Sequence, residues 1–290
     1  MKKRLFALLV TCGALFHHHL FAQDPTTPLM VDHSHGWWKK ESGTGLKILY
    51  TSDIGKHWLD VSPPSLKHIV QDMIATKGSE GLSDNVAFCP LDNQQAWIAV
   101  TVKDRIFLEY TASAGRYWRV SPGPEAKDAV FISFLNGREG FILTMTGSLG
   151  SHREWVYHTA DTGLHWVPIG SPGREGTSYY ADGITFRNPR EGWITATYHG
   201  APDAPLFRTG DGGKTWNLQQ IPVPDDYKGG YANTYPPVFF GPDKKKGYLP
   251  VKLVRHTPSP DHEAEVKYET DNGGATWHLP ASGVHSQPFD

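Results

Sequence analysis

The sequence predicts an all-β protein, a β-propeller of four-stranded antiparallel blades, and three observations carry this prediction. An octet of the form Thr-x-Asp-x-Gly-x-x-Trp occurs five times along the chain, three times in full and twice with Ser or Asn in place of Asp. Before every octet stand an apolar run, a polar turn and a Gly or Ala followed by an aromatic residue. The octet tryptophans are spaced about 50 to 60 residues apart, close to the length of a propeller blade. We therefore expect five blades, although a sixth, degenerate blade could lie in residues 63–85 or after Trp277.

The octets share a small polar residue at the third position, a glycine at the fifth and a tryptophan at the eighth. These residues are Asp53, Gly55, Trp58; Ser113, Gly115, Trp118; Asp161, Gly163, Trp166; Asp211, Gly213, Trp216; and Asn272, Gly274, Trp277. An Asp, Asn or Ser side chain accepts hydrogen bonds from backbone N–H groups of its own turn. Glycine reaches a positive φ without strain, and the tryptophan buries a large apolar surface as the next strand begins.

The aspartates of the octets have a second interpretation, as catalytic groups or metal ligands. Ser113 and Asn272 replace the acid in two copies, while the glycine and the tryptophan are kept in both. A catalytic or metal role would not survive that replacement, whereas a turn would. The octet therefore indicates a structural element, and we predict no catalytic residue in it.

Each repeat is expected to supply four strands, A to D, over residues 29–61, 86–121, 130–168, 184–222 and 238–280. Strand A is the apolar run, strand B starts at the Gly-aromatic pair, and the octet joins strands C and D. The octet turns and the A–B turns, including Lys244-Lys245-Lys246, then lie on one face of the ring. The connection over residues 63–85 has helical spacing of its apolar residues, which are Leu66, Ile69, Val70, Met73 and Ile74. This spacing predicts a short helix that packs against the rim or, alternatively, a helix that binds a partner.

The octet matches the Asp-box, or BNR, repeat. Together with the upstream Gly-aromatic element, it resembles the photosystem II stability and assembly factor-like family over nearly the whole chain after the first 22 residues, and more distantly the sialidase-like propellers. The resemblance implies a scaffold or assembly role, without implying photosynthesis here. That family usually has more blades, so no binding residues are transferred from it.

The first 22 residues read as a secretory signal peptide. Lys2-Lys3-Arg4 precede a mostly apolar stretch that ends at Ala22, and a lipoprotein signal at Cys12 is the alternative. Residues 23–290 are then expected to form a single exported propeller domain, periplasmic or secreted, with no later stretch apolar enough to span a membrane. A net charge of −2 excludes a strongly basic nucleic-acid binder.

The face opposite the octets is expected to carry the long loops, where binding residues concentrate. Two of these loops combine tyrosine with Gly, Ser and Asn, as adaptable recognition surfaces do. Their candidate binding residues are Tyr179, Tyr180, Asp182, Tyr231, Asn233 and Tyr235. The sequence predicts a protein or glycan partner for this face.

Enzyme and metal functions are the remaining alternatives. A sialidase needs an arginine cluster, a tyrosine nucleophile with a glutamate partner and an acid-base aspartate. The nearest arginine motif, Phe186-Arg187-Asn188-Pro189, falls in an A–B turn, on the face opposite the long loops. Asp32-His33-Ser34-His35 and Asp261-His262-Glu263 lack the spacing of a structural zinc site, and Cys89 reads as a small buried hydrophobe. We predict no metal and no cofactor, with a glycoside hydrolase or a carbohydrate-binding propeller as the alternative to a non-catalytic scaffold.

Overall fold

The structure is a computed structural model that describes residues 28–42, 45–77, 86–102, 105–125, 130–146, 153–172, 179–199, 203–255, 262–281 and 283. The predicted signal peptide, residues 1–22, lies outside the described residues, and so does Asp261 of the second histidine motif. Within the described residues β-strand is the main secondary structure, with one α-helix, α1 (Pro64–Lys77).

The strands fall into five consecutive units, which we call blades 1 to 5. Blade 1 consists of β1 (Leu29–Met30), β2 (Gly36–Ser42), β3 (Gly45–Thr51) and β4 (Leu59–Asp60). Blade 2 consists of β5 (Val86–Pro90), β6 (Ala96–Val102), β7 (Arg105–Thr111) and β8 (Arg119–Glu125). Blade 3 consists of β9 (Val130–Phe134), β10 (Gly140–Thr146), β11 (Arg153–Thr159) and β12 (Val167–Gly170).

The last two blades are joined. Blade 4 consists of β13 (Tyr180–Phe186), β14 (Gly192–His199), β16 (Leu206–Thr209) and β17 (Asn217–Leu218). Blade 5 consists of β20 (Val238–Phe240), β21 (Lys246–Arg255), β22 (His262–Thr270) and a bridge between Glu269 and His278. Between them run a two-stranded ribbon of β15 (Asp203–Ala204) and β18 (Ile221–Pro222), a 3-10 turn at Asp225–Tyr227, and β19 (Tyr231–Thr234).

Alternation of polar and apolar residues explains why these segments form strands. In β7, for example, Arg105 and Phe107 are exposed while Ile106 and Leu108 are buried. Successive side chains of a strand point to opposite faces of the sheet, so this pattern buries one face and exposes the other to solvent. The adjacent blade covers the buried face.

Aromatic pairs hold consecutive blades together. The aromatic residue at the start of strand B in one blade packs against a strand A phenylalanine of the next blade. The ring-centroid distances are 6.0 Å for Trp37–Phe88, 4.1 Å for Trp97–Phe134, 3.4 Å for Phe141–Phe186 and 4.8 Å for Trp193–Phe239. Each pair lies within one of four buried clusters that lie between neighbouring blades. The repeated Gly-aromatic element is therefore part of the contact between blades.

The predicted helix is present and packs against the rim. Leu66 and Val70 of α1 are buried in the cluster between blades 1 and 2, and Ile69 packs partly against it. A Cβ on Gly45, which opens β3, would lie 3.6 Å from Val70 Cγ1. Of the described helices, none is long and apolar enough to cross a membrane.

Two segments predicted as loops are strands. Tyr180 and Asp182 belong to β13, which begins four residues earlier than expected, and Tyr231 and Asn233 belong to β19. The Gly, Asn and Asp residues there have low strand propensity, which favoured a loop interpretation. Ala181 and Ala232 are nevertheless buried between half-exposed neighbours, so packing of one face fixes both segments as strands.

Candidate functional site

One hydrogen-bond network recurs in all five octet turns. The threonine Oγ1 accepts the glycine N–H at 2.9–3.1 Å. The third side chain accepts the N–H of the residue before the tryptophan at 2.9–3.0 Å. The five glycines have φ between +72° and +89°, and the residues before them, including Ile54 and Thr162, also have positive φ. The polar side chains of the octets therefore serve their own turns.

The electrostatics of these turns fit a structural role. Hydrogen bonds from the backbone N–H of His57, His165 and Thr215 lower the pKa of Asp53, Asp161 and Asp211 to about 2. A carboxylate held in its ionised form by its own turn is a poor general acid at neutral pH. Within the described part of the chain, no group of three or more His, Cys, Asp or Glu residues could hold a metal ion.

The A–B turns contain a second repeated device that the sequence interpretation missed. In each of them an Asp or Asn side chain accepts the N–H two residues later. These residues are Asp32, Asp92, Asn136, Asn188 and Asp243. Their signal in the sequence is an Asp or Asn four residues before the Gly-aromatic pair.

The octet turns and the A–B turns lie on the same face and are hydrogen-bonded to each other. In every blade the fourth octet residue donates its N–H to a carbonyl of the A–B turn. In blade 1 Ile54 donates to Ser34 at 2.9 Å, and in blade 5 Gly273 donates to Lys245 at 2.7 Å. His35 and Arg187 are engaged here as well. His35 Nδ1 lies 2.8 Å from Asp32 Oδ2, and Arg187 pairs with Glu191. Both motifs are therefore engaged in ion pairs within their own A–B turns.

The candidate site lies where blades 4 and 5 merge. Strand β19 pairs with the end of β14 on one side and with β21 on the other, so five strands form a continuous sheet. One row of residues runs in register across it. The row is Tyr180, Thr197, Asn233, Lys252 and Glu265. All five residues are partly exposed, and residues paired in this way present their side chains on the same face.

Asp182 joins this row through a β-bulge. The register of β13 against β14 shifts between Ala181 and Gly183, which leaves Asp182 as the extra residue. Its carboxylate accepts the hydroxyl of Thr195 at 2.6 Å and that of Thr197 at 2.9 Å. Bulges redirect side chains and are common beside functional sites. Here the bulge places a carboxylate beside the row.

Tyr235 and Asn233 complete the arrangement. Burial raises the pKa of Tyr235, and the nearby carboxylates of Asp182, Glu265 and Glu263 raise it further. The Asn233 Oδ1 atom is buried and finds no hydrogen-bond donor among the described residues. Lys252 Nζ lies 2.9 Å from Glu263 Oε2. We call Asp182, Thr197, Asn233, Tyr235, Lys252 and Glu265 the polar surface.

Five of the six residues proposed from the sequence thus come together at this sheet, and one does not. Tyr180, Asp182, Tyr231, Asn233 and Tyr235 lie on β13, on β19 or directly after it. Tyr179 instead packs against Phe207 with ring centroids 5.7 Å apart, at the edge of the cluster between blades 3 and 4. Sequence reasoning missed Thr197, Lys252 and Glu265, because only the pairing of the strands brings them into the row.

Comparison with solved structures identifies the architecture. The Niastella koreensis GH74 enzyme superposes with a TM-score of 0.55 at 12% identity, over 89% of this chain and 37% of that one. The phage phi92 endosialidase gives 0.50 at 10% identity, over 90% and 57%. The fold is a β-propeller. YCF48 bound to D1 peptide gives 0.42 at 14% identity, over 91% and 84%.

The propeller is shown by structure alone. No protein-family model and no curated protein sequence matches the chain. The chain spans about a third of the GH74 enzyme and just over half of the endosialidase. What those enzymes act on is a property of those enzymes, so function must be argued from the residues of this chain.

Proposed function

We propose that the chain is an exported, non-catalytic β-propeller that acts as a binding or assembly scaffold, and that its protein or glycan partner contacts the polar surface. The proposal includes a signal peptide over residues 1–22 and a single propeller domain over residues 23–290. The observation that carries it is the in-register row from Tyr180 to Glu265 across five strands of one sheet.

The chemistry of the polar surface suits recognition. It offers an amide, a phenol, an ammonium group and carboxylates side by side on paired strands. A sheet holds such groups more precisely than a loop does, which lowers the entropy lost on binding.

A triple variant tests this proposal. Asn233→Ala, Tyr235→Phe and Lys252→Ala together remove three donors or acceptors from the polar surface. The matched control replaces the exposed Lys56, Lys214 and Gln220 with alanine at a distance from it. We expect a partner cross-linked from the cell envelope, or a ligand found on a glycan array, to bind the wild type and the control and to lose at least about tenfold in affinity for the triple variant. Equal binding to all three proteins would remove the polar surface from the function.

A glycoside hydrolase is the second candidate, because Tyr235 lies within electrostatic reach of Asp182 and Glu265. A tyrosine nucleophile requires a lowered pKa, however, and the surroundings of Tyr235 raise it, which favours the protonated phenol. Hydrolysis assays with a panel of fluorogenic glycosides distinguish a glycoside hydrolase from a non-catalytic scaffold. Turnover that disappears in both Asp182→Asn and Glu265→Gln would establish the enzyme and replace the scaffold proposal.

A further inference from the structure

The first strands of blades 2 to 5 line a separate, open cavity of about 400 Å³. It lies towards the A–B turns, the face that carries the octets. Most of its lining residues have apolar side chains, among them Phe88, Phe131, Leu135 and Val238, while polar atoms supply nearly half of the exposed lining. A volume of this size falls within the range of small-molecule sites, which are typically apolar with few polar groups.

The apolar character of the cavity is built into the backbone. Pro236 and Pro237 line it and separate β19 from β20. Proline has no backbone N–H, so this stretch of wall presents no amide donor to the cavity. An alkyl group that displaces water from the apolar part of the lining gains free energy.

Among the described residues, the charged groups that line the cavity are both cations, Arg187 and Lys244. Arg187 is held in place: it pairs with Glu191, donates to the Lys244 carbonyl at 2.9 Å and lies over the Phe239 ring. Its Nε is buried without an acceptor in the described part of the chain. Lys244 is exposed, and the described residues form no ion pair with it.

We propose that this cavity binds an aliphatic carboxylate of medium chain length. The apolar side chains take the alkyl chain, and the carboxylate lies at the rim against the Lys244 ammonium group, in the positive field of the Arg187 guanidinium. A charge-assisted hydrogen bond to Lys244, together with the positive charge of Arg187, favours the anion over an uncharged ligand of the same shape. The site does not involve the polar surface, so its failure and the failure of the scaffold proposal are distinguishable.

Cys89 provides the readout because it lines the cavity and is a free, partly exposed cysteine. Burial raises the pKa of its thiol to about 11, so alkylation is slow and a bound ligand slows it further. The experiment titrates decanoate against the rate of Cys89 alkylation in mildly alkaline buffer, with the modified peptide identified by mass, and repeats the titration with decanol. Calorimetry of the same pairs gives the affinity.

We expect saturable protection by decanoate and at least about tenfold weaker protection by decanol. Lys244→Glu should weaken decanoate binding about tenfold, and Lys245→Glu, an exposed neighbour that does not line the cavity, by less than about twofold. Lys244→Met repeats the test without a reversed charge, and near-ultraviolet circular dichroism confirms that each variant is folded. No saturable protection, equal binding of decanol, or equal effects of the two glutamate variants would each overturn the proposal.

Discussion

Gly274 in the fifth octet lies directly against the indole of Trp193 in blade 4: a Cβ built on Gly274 would come within 2.6 Å of Trp193 Cζ2. Gly274 also has φ +78°. The equivalent Gly115 and Gly163 face blades 1 and 2 in the same way, since a Cβ on either would meet Val61 or Ser121 at 2.5 Å. In blades 2 to 5 the octet glycine therefore meets two requirements, the conformation of its turn and the close approach of the preceding blade.

Gly274→Ala should destabilise the fold by about 2 to 4 kcal/mol, because the variant combines a strained positive φ with overpacking against Trp193. Two matched glycines separate these causes. Gly229 has φ +80° and its added Cβ would meet nothing within 4 Å, whereas Gly210 has open space without a positive φ. Denaturant unfolding should rank the losses Gly274→Ala above Gly229→Ala above Gly210→Ala. A Gly274 variant no worse than the Gly229 variant would show that the contact with Trp193 is unimportant.

Thr234 is the buried link between blades 4 and 5. Its Oγ1 accepts the N–H of Ala196 at 3.2 Å and donates to the Pro205 carbonyl. Thr234→Val keeps the shape but leaves both backbone groups unpaired, so we expect a loss of about 1 to 3 kcal/mol and faster hydrogen exchange in β14 and β19. Thr101 is the control, because its buried Oγ1 has no partner among the described residues. Thr101→Val should be neutral or stabilising, and equal losses in the two variants would rule out the hydrogen-bond explanation.

The repeating parts of this fold could be predicted because each depends on local chemistry. The octet combines a turn-capping side chain, a glycine that must adopt positive φ and a tryptophan that must be covered, and all three show in the sequence. The capping residues of the A–B turns, such as Asn136 and Asn188, follow the same logic and were equally readable from their fixed distance to the Gly-aromatic pair.

The candidate site could be predicted only in part, because its geometry depends on pairing between distant segments. Tyr231 and Asn233 stood out by composition, but their neighbours Thr197 and Lys252 are ordinary residues until β19 joins β14 to β21. The bulge that exposes Asp182 is likewise a property of register, which no single segment specifies. Tyr179 shares the composition of the site and yet packs against Phe207 at the edge of the cluster between blades 3 and 4.

Glu109 is a buried carboxyl group whose removal should stabilise the protein. It is 4% exposed, accepts a hydrogen bond from Ser65 at the start of α1, and burial raises its pKa. The folded state holds the Glu109 proton more tightly than the unfolded state does. Glu109 therefore lowers the free energy of unfolding as the pH rises above its unfolded-state pKa of about 4.3. Glu109→Gln keeps the bond from Ser65 without a buried charge, so we expect a higher Tm at neutral pH and a smaller gain near pH 4. A lower Tm of the variant at neutral pH would show that the ionised group is favourable here.

Asp211 makes the opposite prediction, and Asn272 supplies its natural comparison. The carboxylate of Asp211 accepts the Thr215 N–H at 3.0 Å and the Thr215 hydroxyl at 2.7 Å. Asn272 makes two corresponding hydrogen bonds with Thr276. Its Oδ1 accepts the Thr276 N–H at 3.0 Å, and its Nδ2 donates to the Thr276 hydroxyl at 2.8 Å. Asp211→Asn should therefore keep the turn and change stability little at neutral pH, whereas Asp211→Ala should lose about 1 to 2 kcal/mol.

The pH dependence of the same variants distinguishes the charge of Asp211 from its hydrogen bonds. The pKa of Asp211 falls to about 2 in the folded state, mainly through the backbone hydrogen bond from Thr215. A lowered pKa stabilises the folded state. This stabilisation is fully present above the unfolded-state pKa of about 3.9 and is lost as the pH falls through the folded-state pKa. Thermal unfolding between pH 5 and pH 2 should therefore show a shallower acid-induced decline for Asp211→Asn than for the wild type, most clearly when Asp53→Asn and Asp161→Asn are added. Parallel declines in the wild type and the triple variant would mean that other carboxylates govern acid unfolding and that the octets contribute through their hydrogen bonds alone.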